Sequence, residues 1–405
     1  MKPRSNRVRR WPYPYWAAVS ISNDSDFCRF DYFEAFMQLC NTLRATPLGS
    51  GLGIEVTSSF FFFSDPGRQF GYFAGLEPEA PLSEAAPRLA DYITAGWLDA
   101  NHAYGDFDGV GGFRRAHAER CFAEMSRLGA DIRVFINHGD EKNTQCIGAE
   151  ARHHFGDLPG DPAYHADLLT ARGPTYVTSS AYTQGHVTDR PEKLSAVRKP
   201  SIRRWLLSFP SRLEQELLAP LWLRDGSRVT AFWRVRGTGV NAPNLSSLTY
   251  QVRLLDLEAL YASEGVAVIY QHWGVLSKEA GRCVPASIEA VRGRPELLSG
   301  LRTLAREYHE GRLWVSGLQR LLDYCAMIGS TEVREGETAG TLVLDCRIRT
   351  KSPLAFFQGL TIYVDPTVPV KVTYDGVDLP LVQNGPDQTG RYSVSVPLIK
   401  KPDIW

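Results

Sequence analysis

Four apolar runs of the sequence each end in side chains that can bind a metal ion or transfer a proton. The runs WAAVSIS, YITAGWLDAN, IRVFIN and VAVIYQ are followed, in chain order, by Asp24 and Asp26, then His102 and Asp106, then His138 and Asp140, and last His272. Aspartate and histidine together form ligand sets for divalent ions such as zinc, with an open position for water. Such an ion lowers the pKa of its bound water toward neutrality. A second carboxylate held off the ion can act as general base, and a histidine can protonate the leaving group.

The apolar runs alternate with segments of helical periodicity between residues 15 and 328. Predicted strands are 16–22, 54–63, 131–140, 175–180, 227–235, 266–274 and 313–317, and predicted helices are 31–43, 83–96, 112–129, 248–265, 295–311 and 318–329. This order is typical of a parallel sheet covered by helices, and the number of repeats favours an α/β fold of the (β/α)7-type distorted barrel. The usual glycine-rich phosphate-binding motifs do not follow the first strand, which argues against a nucleotide-binding fold. Chemistry in parallel β/α folds gathers at the carboxyl ends of the strands, so we expect the four polar ends to meet there.

Each polar end also has a purely structural explanation. Asp24 or Asp26 could cap the helix that begins near residue 30. His138 could lie in a turn in which Asp140 bonds the backbone, and His272 could be a satisfied core histidine. We favour chemistry because all of these structural explanations would have to hold at once. In addition, the three histidines concerned all fall at strand ends. Most of the other histidines are predicted to lie on the surface: His117, His153, His154, His186 and His309.

Residues 329–405 carry a different pattern of short strands separated by turn signals. The segments STEVREG, GTLVLDCRIRT, LAFFQGLTIYVD, VKVTYDGVDLPLV and RYSVSVPLI predict a small antiparallel β domain, sandwich-like in form. It holds neither histidine nor clustered carboxylates. We therefore interpret it as a packing or interaction module, with carbohydrate binding as the alternative.

The composition excludes several classes of protein. Lys plus Arg and Asp plus Glu both number 45, so the formal charge is zero and nucleic acid is not an expected partner. The basic start of the chain predicts a mobile arm over 1–14, with a docking arm as the alternative. A secretory signal and a run of about 18 apolar residues are both absent, so we expect a cytoplasmic protein without a transmembrane segment. Seven scattered cysteines without a C-x-x-C pair favour reduced thiols.

The order of these strand ends resembles the polysaccharide deacetylase superfamily, the relatives of carbohydrate esterase family four. Members are (β/α)7 barrels that use a metal held by one Asp and two His to remove acetyl groups from sugars. By resemblance, SNDSD supplies Asp24 as base and Asp26 as metal ligand, and His272 in VIYQHWG matches the catalytic acid. The resemblance covers roughly residues 15–325.

Two departures from the family pattern affect the predicted site. The second motif is His-x3-His in the family and His102-Ala-Tyr-Gly-Asp106 here, so either Asp106 is a ligand or His138 takes its place. The arginine-proline motif expected after the third strand is replaced by FINHGDEKNTQ. We interpret residues in this segment and two elsewhere as residues that bind the substrate or hold the metal ligands in place: Asn137, Asp140, Asn143, His165 and Trp273.

The resulting hypothesis is a metal-dependent hydrolase, with Zn2+ as the expected cofactor and a carbohydrate as the expected partner. It removes an acyl group, most simply N-acetyl, from a sugar or glycan by means of metal-bound water. One alternative is a metal-independent glycoside hydrolase or lyase on the same barrel, using two of Asp24, Asp106 and Asp140. The other is a glycan-binding protein that has lost its chemistry.

Overall fold

The computed structural model describes residues 7–183, 187, 217–237, 242–279 and 282–405. Within these ranges the strands are β1 (Ala17–Asn23), β2 (Ala45–Thr46), β3 (Gly49–Ser50), β4 (Ser58–Phe60), β5 (Phe63–Ser64), β6 (Phe73–Ala74), β7 (Leu98–His102), β8 (Val134–Ile136), β9 (Tyr176–Thr183), β10 (Leu218–Trp222), β11 (Arg228–Val235), β12 (Val266–Gln271), β13 (Val275–Glu279), β14 (Arg282–Pro285), β15 (Leu313–Val315), β16 (Thr331–Glu335), β17 (Thr341–Cys346), β18 (Thr361–Tyr363), β19 (Lys371–Tyr374), β20 (Val377–Asp378), β21 (Val382–Asn384) and β22 (Ser393–Ser395). Two predicted features, His186 and the first six residues of the arm, lie outside the described ranges.

The helices of the described residues lie mainly between strands of the large sheet. They are α1 (Phe30–Asn41), α2 (Ala86–Thr94), α3 (Arg115–Arg127), α4 (Ala166–Thr170), α5 (Leu245–Leu254), α6 (Leu257–Ala262), α7 (Ile288–Arg292), α8 (Ser299–His309), α9 (Leu318–Ser330) and α10 (Pro353–Phe356), with a 3-10 turn at Pro295–Leu298. Each of the predicted helices is present, with bounds that differ from the prediction by up to three residues at most ends. Every helix in the described part of the chain is too short or too polar to cross a membrane.

One curled sheet holds the strands that end in polar residues. Eight strands run parallel to their neighbours in the order β15-β1-β12-β11-β9-β8-β7-β4, and β10 pairs antiparallel with β11. Although β1 and β4 are far apart in this order, Ser59 Oγ donates to Asn23 O at 2.6 Å and Asn23 Nδ2 donates to Ser58 Oγ at 2.9 Å. The sheet therefore curls into a partial barrel, as the strand and helix alternation predicted.

Most of the predicted strand 54–63 lies outside the large sheet. Only Ser58–Phe60 joins the large sheet. The Asn41 side chain, just ahead of the C-cap of α1, takes the place of a neighbouring strand, because it accepts from Val56 N at 2.8 Å and donates to Val56 O at 2.9 Å. A side-chain amide thus satisfies backbone groups that a ladder would otherwise pair.

The predicted helix 248–265 is divided into α5 and α6 at Asp256. This residue has a φ of 51°, which is outside the helical region, and its side chain accepts from Ala259 N. Asp256 therefore ends one helix and caps the next.

The C-terminal strands form two small sheets of order β16-β17-β19-β20 and β18-β22-β21. The prediction of a purely antiparallel domain is wrong in one pairing, because β17 and β19 are parallel. The chain between them passes through α10 and β18, which belongs to the other sheet, and so returns in its original direction. Both sheets share one apolar core with α9 and with residues of the large sheet.

Residues 7–14 pack between these sheets and the partial barrel, so the described part of the arm predicted over 1–14 is docked and not mobile. Trp11 is 1% exposed, its ring stacks 6.0 Å from that of Tyr324, and its Nε1 donates to Glu264 O at 2.9 Å. Arg9 N donates to Thr361 O at 2.9 Å. Trp11, which directly follows the basic cluster, anchors this segment in the core.

Candidate functional site

The four polar strand ends meet at the carboxyl edge of the curled sheet. Asp24 and Asp26 follow β1, His102 is the last residue of β7, and His138 and His272 follow β8 and β12. Because β1 pairs in parallel with β12 and β7 with β8, the ends of all four strands point the same way. The shared direction brings side chains from distant parts of the sequence into one cluster.

Asp26 lies at the centre of this cluster. Its Oδ2 is 3.6 Å from His102 Nδ1 and 3.4 Å from His272 Nε2, and its Oδ1 is 3.6 Å from His138 Nδ1. Asp24 lies beside it, with Oδ2 3.5 Å from His102 Nε2. Five side chains that the sequence placed at strand ends are thus brought together.

Within the described residues, the two ring nitrogens of His102 and Oδ2 of Asp26 are buried without a hydrogen-bond partner. Burying such groups without a partner is costly, so the arrangement calls for a further atom. Ligands about 2.1 Å from a tetrahedral ion lie about 3.4 Å apart, which is close to the separations in this cluster. Asp26, His102 and His138 could therefore hold a divalent ion, as could Asp24, Asp26 and His272.

The chain bends sharply directly after two of these residues. Phe27 and Ala103 have φ values of 55° and 45°, in the left-handed region that side chains other than glycine disfavour. Such strain persists only where the surrounding structure enforces it, and it is common at functional sites. Here it turns the backbone away immediately after Asp26 and His102.

Arg234 of β11 neutralises Asp24 in the buried interior. Its NH1 donates to Asp24 Oδ1 at 2.8 Å, and the two side chains are 4% and 3% exposed. Burial raises the pKa of Asp24, but the charge of Arg234, and then that of His102, lowers it further, so the net pKa lies below the usual value. Asp24 is therefore held as a carboxylate.

His272 is oriented by the backbone on one side and by carboxylates on the other. Its Nδ1–H donates to Pro243 O at 2.8 Å, so the neutral ring presents the lone pair of Nε2 to the cluster. The Tyr270 hydroxyl lies 3.4 Å from the same Nε2. Burial lowers the pKa of His272, and the charges of Asp26 and Asp24 offset only part of that effect.

His138 lies between Asp26 and a second pair of carboxylates. Its Nε2 donates to Asp106 Oδ1 at 3.3 Å and is 3.6 Å from Asp108 Oδ1. Burial lowers the pKa of His138, but Asp26, Asp106 and Asp108 together raise it to about 9. Phe61 packs against this ring and stacks on that of His102, 4.5 Å between centroids, so both imidazoles are fixed in place.

Asp106 is engaged by groups that the sequence did not point to. Its Oδ2 accepts from Gln69 Nε2 at 2.7 Å and pairs with Arg68 NH1 at 2.9 Å. Burial raises the pKa of Asp106, but its hydrogen bond and charge interaction with His138, together with Gln69 and Arg68, lower it to about 2. The His102-x3-Asp106 pair is therefore divided between the centre and the edge of the cluster.

The other predicted substrate residues lie outside the central cluster. Asn143 is buried and donates to Asp108 Oδ1 at 3.2 Å, while Asn137 accepts from Ile147 N at 3.0 Å; both hold the loop after β8. Asp140 is exposed and accepts from Gly109 N at 3.0 Å. His165 and Trp273 are wholly buried, the first against Tyr104 and the second stacked on Phe36.

Two histidines predicted to lie on the surface are buried instead. His117 accepts from Arg114 N at 3.0 Å and donates to Leu76 O at 2.9 Å, which satisfies both ring nitrogens. His154 donates to Gly148 O at 3.1 Å. His153 is half-buried, and the prediction holds for His309, which is exposed.

The structure adds Arg234, Gln69, Arg68 and Phe61 to the residues around the site. Only Arg234 left a signal in the sequence, as the charged residue inside the otherwise apolar run VTAFWRV. Gln69 and Arg68 come from a loop that the sequence does not place, and Phe61 lies in the predicted strand 54–63 without a signal for a role at the site. Comparisons of the chain with protein-family models, with curated proteins and with solved structures found no match.

Proposed function

We propose that this protein is a metal-dependent hydrolase that removes an acyl group, most simply N-acetyl, from a sugar or glycan. One observation carries the proposal: Asp26 and His102 present buried, unpartnered polar atoms, within the described residues, at ligand-to-ligand spacing. The resemblance of the strand ends to polysaccharide deacetylases supplies the substrate class. The seven scattered cysteines, without a C-x-x-C pair, fit a reducing cytoplasm.

Asp26, His102 and His138 are the proposed ligands. Zn2+ suits one carboxylate and two imidazoles in a tetrahedral arrangement with an open position. When bound there, the ion polarises the acyl carbonyl and supplies a water that ionises near neutral pH.

Asp24 is the proposed general base. Arg234 occupies its Oδ1 and keeps the carboxylate ionised, while Oδ2 faces the centre of the cluster, 3.5 Å from His102 Nε2. A carboxylate held this way accepts the proton of the attacking water. The pairing with Arg234 keeps Asp24 available as a base down to low pH.

His272 is the proposed acid for the leaving amine. The bond to Pro243 O fixes Nδ1 as a donor, so Nε2 must take up a proton before it can give one to the leaving nitrogen. Asp24 Oδ2 is 4.0 Å from this nitrogen, so the two side chains must approach each other, or be bridged by one water, for the proton taken from the attacking water to pass to His272. The lowered pKa of His272 favours release of that proton.

We also propose that the partial barrel is a divergent (β/α)7 barrel. The hydrogen bonds between Asn23 and the serines of β4 support this assignment, because they link the two strands across the gap in the sheet order. On that scheme β15 is an extra strand beside β1. Crystallography at the carboxyl edge, with a seven-strand ring as the expected result, tests the assignment.

Acetate release by the purified protein from N-acetylated amino sugars and their oligomers tests the proposed function. We expect release that stops on chelation, returns on addition of Zn2+, and is lost in Asp24→Asn. The matched control is Asp65→Asn, an exposed carboxylate whose oxygen accepts from Gly67 N. Full acetate release after complete metal removal contradicts the proposal. Cleavage of glycosidic bonds by the metal-free protein, without acetate release, favours the glycosidase alternative.

A further inference from the structure

Asp106 stands where the resemblance would place a second metal histidine, yet both of its oxygens already have partners. Oδ2 accepts from Gln69 Nε2 and pairs with Arg68. Oδ1 accepts from Asp108 N and from His138 Nε2, each at 3.3 Å. To bind an ion directly, this carboxylate would have to give up a buried, charge-assisted contact.

The contact with Asp106 determines which nitrogen of His138 is available. A carboxylate can only accept, so Nε2 of His138 carries a hydrogen. In the neutral ring the lone pair is then on Nδ1, the atom 3.6 Å from Asp26 Oδ1. The ring therefore presents a ligand atom to Asp26 on one side and a donor to Asp106 on the other.

The backbone of His138 is held as well as its ring. Cys146 Sγ accepts from His138 N at 3.2 Å and donates to His138 O at 3.0 Å. Asp108 Oδ1 lies 3.6 Å from Nε2 and is itself bound by Asp140 N at 3.1 Å. The ring is thus fixed between Asp26 and two carboxylates.

We propose that Asp106 is a positioning residue that selects the tautomer and orientation of His138, so that Nδ1 of His138 is the third metal ligand. This inference rests on the proposed function. Carboxylates that accept from the distal nitrogen of a ligating histidine raise its basicity and typically account for 10–100-fold in metal affinity. Gln69 and Arg68 in turn hold Asp106 at the angle that the ring requires.

Metal affinity of the full chain measures this role separately from catalysis. Zn2+ binding to wild type, Asp106→Asn, His138→Ala and Asp26→Asn is followed by competition with a chromophoric chelator. We expect Asp106→Asn to keep one binding site per chain with an affinity about 10–100-fold weaker. Asp26→Asn and His138→Ala should lose stoichiometric binding, and Asp65→Asn should bind as the wild type does.

Three results of the binding measurements overturn the proposal, and they differ from one another. Equal affinities of Asp106→Asn and Asp65→Asn mean that Asp106 has no role, and loss of stoichiometric binding in Asp106→Asn makes it a ligand. Absence of binding to the wild type refutes the proposed function itself. Nitrogen-15 NMR of histidine-labelled wild type with Zn2+ keeps the test valid even if Asp106→Asn does not fold. His138 should then retain a protonated Nε2, and a protonated Nδ1 contradicts the proposal.

Discussion

Replacing Arg234 by methionine should destabilise the folded protein and raise the pKa of Asp24. The two side chains are almost fully buried and their charged atoms are 2.8 Å apart. At that distance the attraction is about 6 kcal/mol for an effective dielectric constant of about 20. Much of it offsets the cost of removing both ions from water. Truncation of one partner leaves an unpaired buried charge, which typically costs about 3–5 kcal/mol.

The pH dependence of this effect has a definite sign. The pKa of Asp24 is depressed in the folded protein, so its contribution to stability is present above the usual value of 3.8 and is lost as the pH falls through the folded pKa. In Arg234→Met the carboxylate is no longer paired and its pKa rises. The difference in unfolding free energy between wild type and variant should therefore be largest near neutral pH and should shrink toward acid pH.

Urea unfolding of a double-mutant cycle measures the pair. The cycle contains Arg234→Met, Asp24→Asn and the double variant, with Arg228→Met, at the exposed start of β11, as the matched control. We expect the double variant to be less destabilised than the sum of the single variants by at least about 1 kcal/mol. A cost below about 1 kcal/mol for Arg234→Met, as for exposed ion pairs, refutes a buried charge pair.

Three further perturbations follow from the structure. The pKa of His138 is raised to about 9 in the metal-free protein, so protonation of His138 stabilises the folded, metal-free form. This stabilisation is fully present below about pH 6.5 and is lost as the pH rises through about 9. A binding ion must displace the proton, so affinity measured by equilibrium dialysis should rise about tenfold per pH unit between pH 7 and 9, and a flat profile contradicts this. Ala103→Gly should leave the unfolding free energy unchanged or higher, because glycine adopts the positive φ of this position without strain. The control Ala100→Gly, within β7, should lower the unfolding free energy by about 1 kcal/mol. Equal losses in both variants contradict the strain at Ala103. Trp11→Ala should cost about 3–5 kcal/mol in thermal or urea unfolding, while a mobile arm would give no change.

The meeting of the polar strand ends could be predicted from the sequence for a physical reason. Parallel strands linked by helices all end at the same edge, so Asp24, His102, His138 and His272 needed only the correct strand assignment to be placed together. Apolar runs of β-branched and aromatic residues gave that assignment for Asp24, His138 and His272, whereas β7, which ends in His102, was not among the predicted strands.

The partners of those residues could not be found in the same way. Gln69 and Arg68 reach Asp106 from a loop, and loop conformation depends on the packing of the whole chain. The substitution of Asp106 for a histidine also left the third ligand open, because the sequence does not give the distance between His138 and Asp26, which is 3.6 Å in the structure. Arg234 was visible as a charge in an apolar strand but had no evident partner.

Two errors had signals that the sequence contained. His117 shares a helical face with Cys121 and Met125, four and eight residues on, and that periodicity predicts burial. Trp11 follows the basic cluster directly, and a large aromatic side chain favours packing over a mobile arm.

Metal content tests the central claim most directly. The purified wild-type chain, its Asp26→Asn variant and the Asp65→Asn control are dialysed against Zn2+ and analysed for bound metal by mass spectrometry. The proposed centre predicts one ion per chain in wild type and control and none in Asp26→Asn. Equal metal content in all three proteins, or no metal in the wild type, contradicts it.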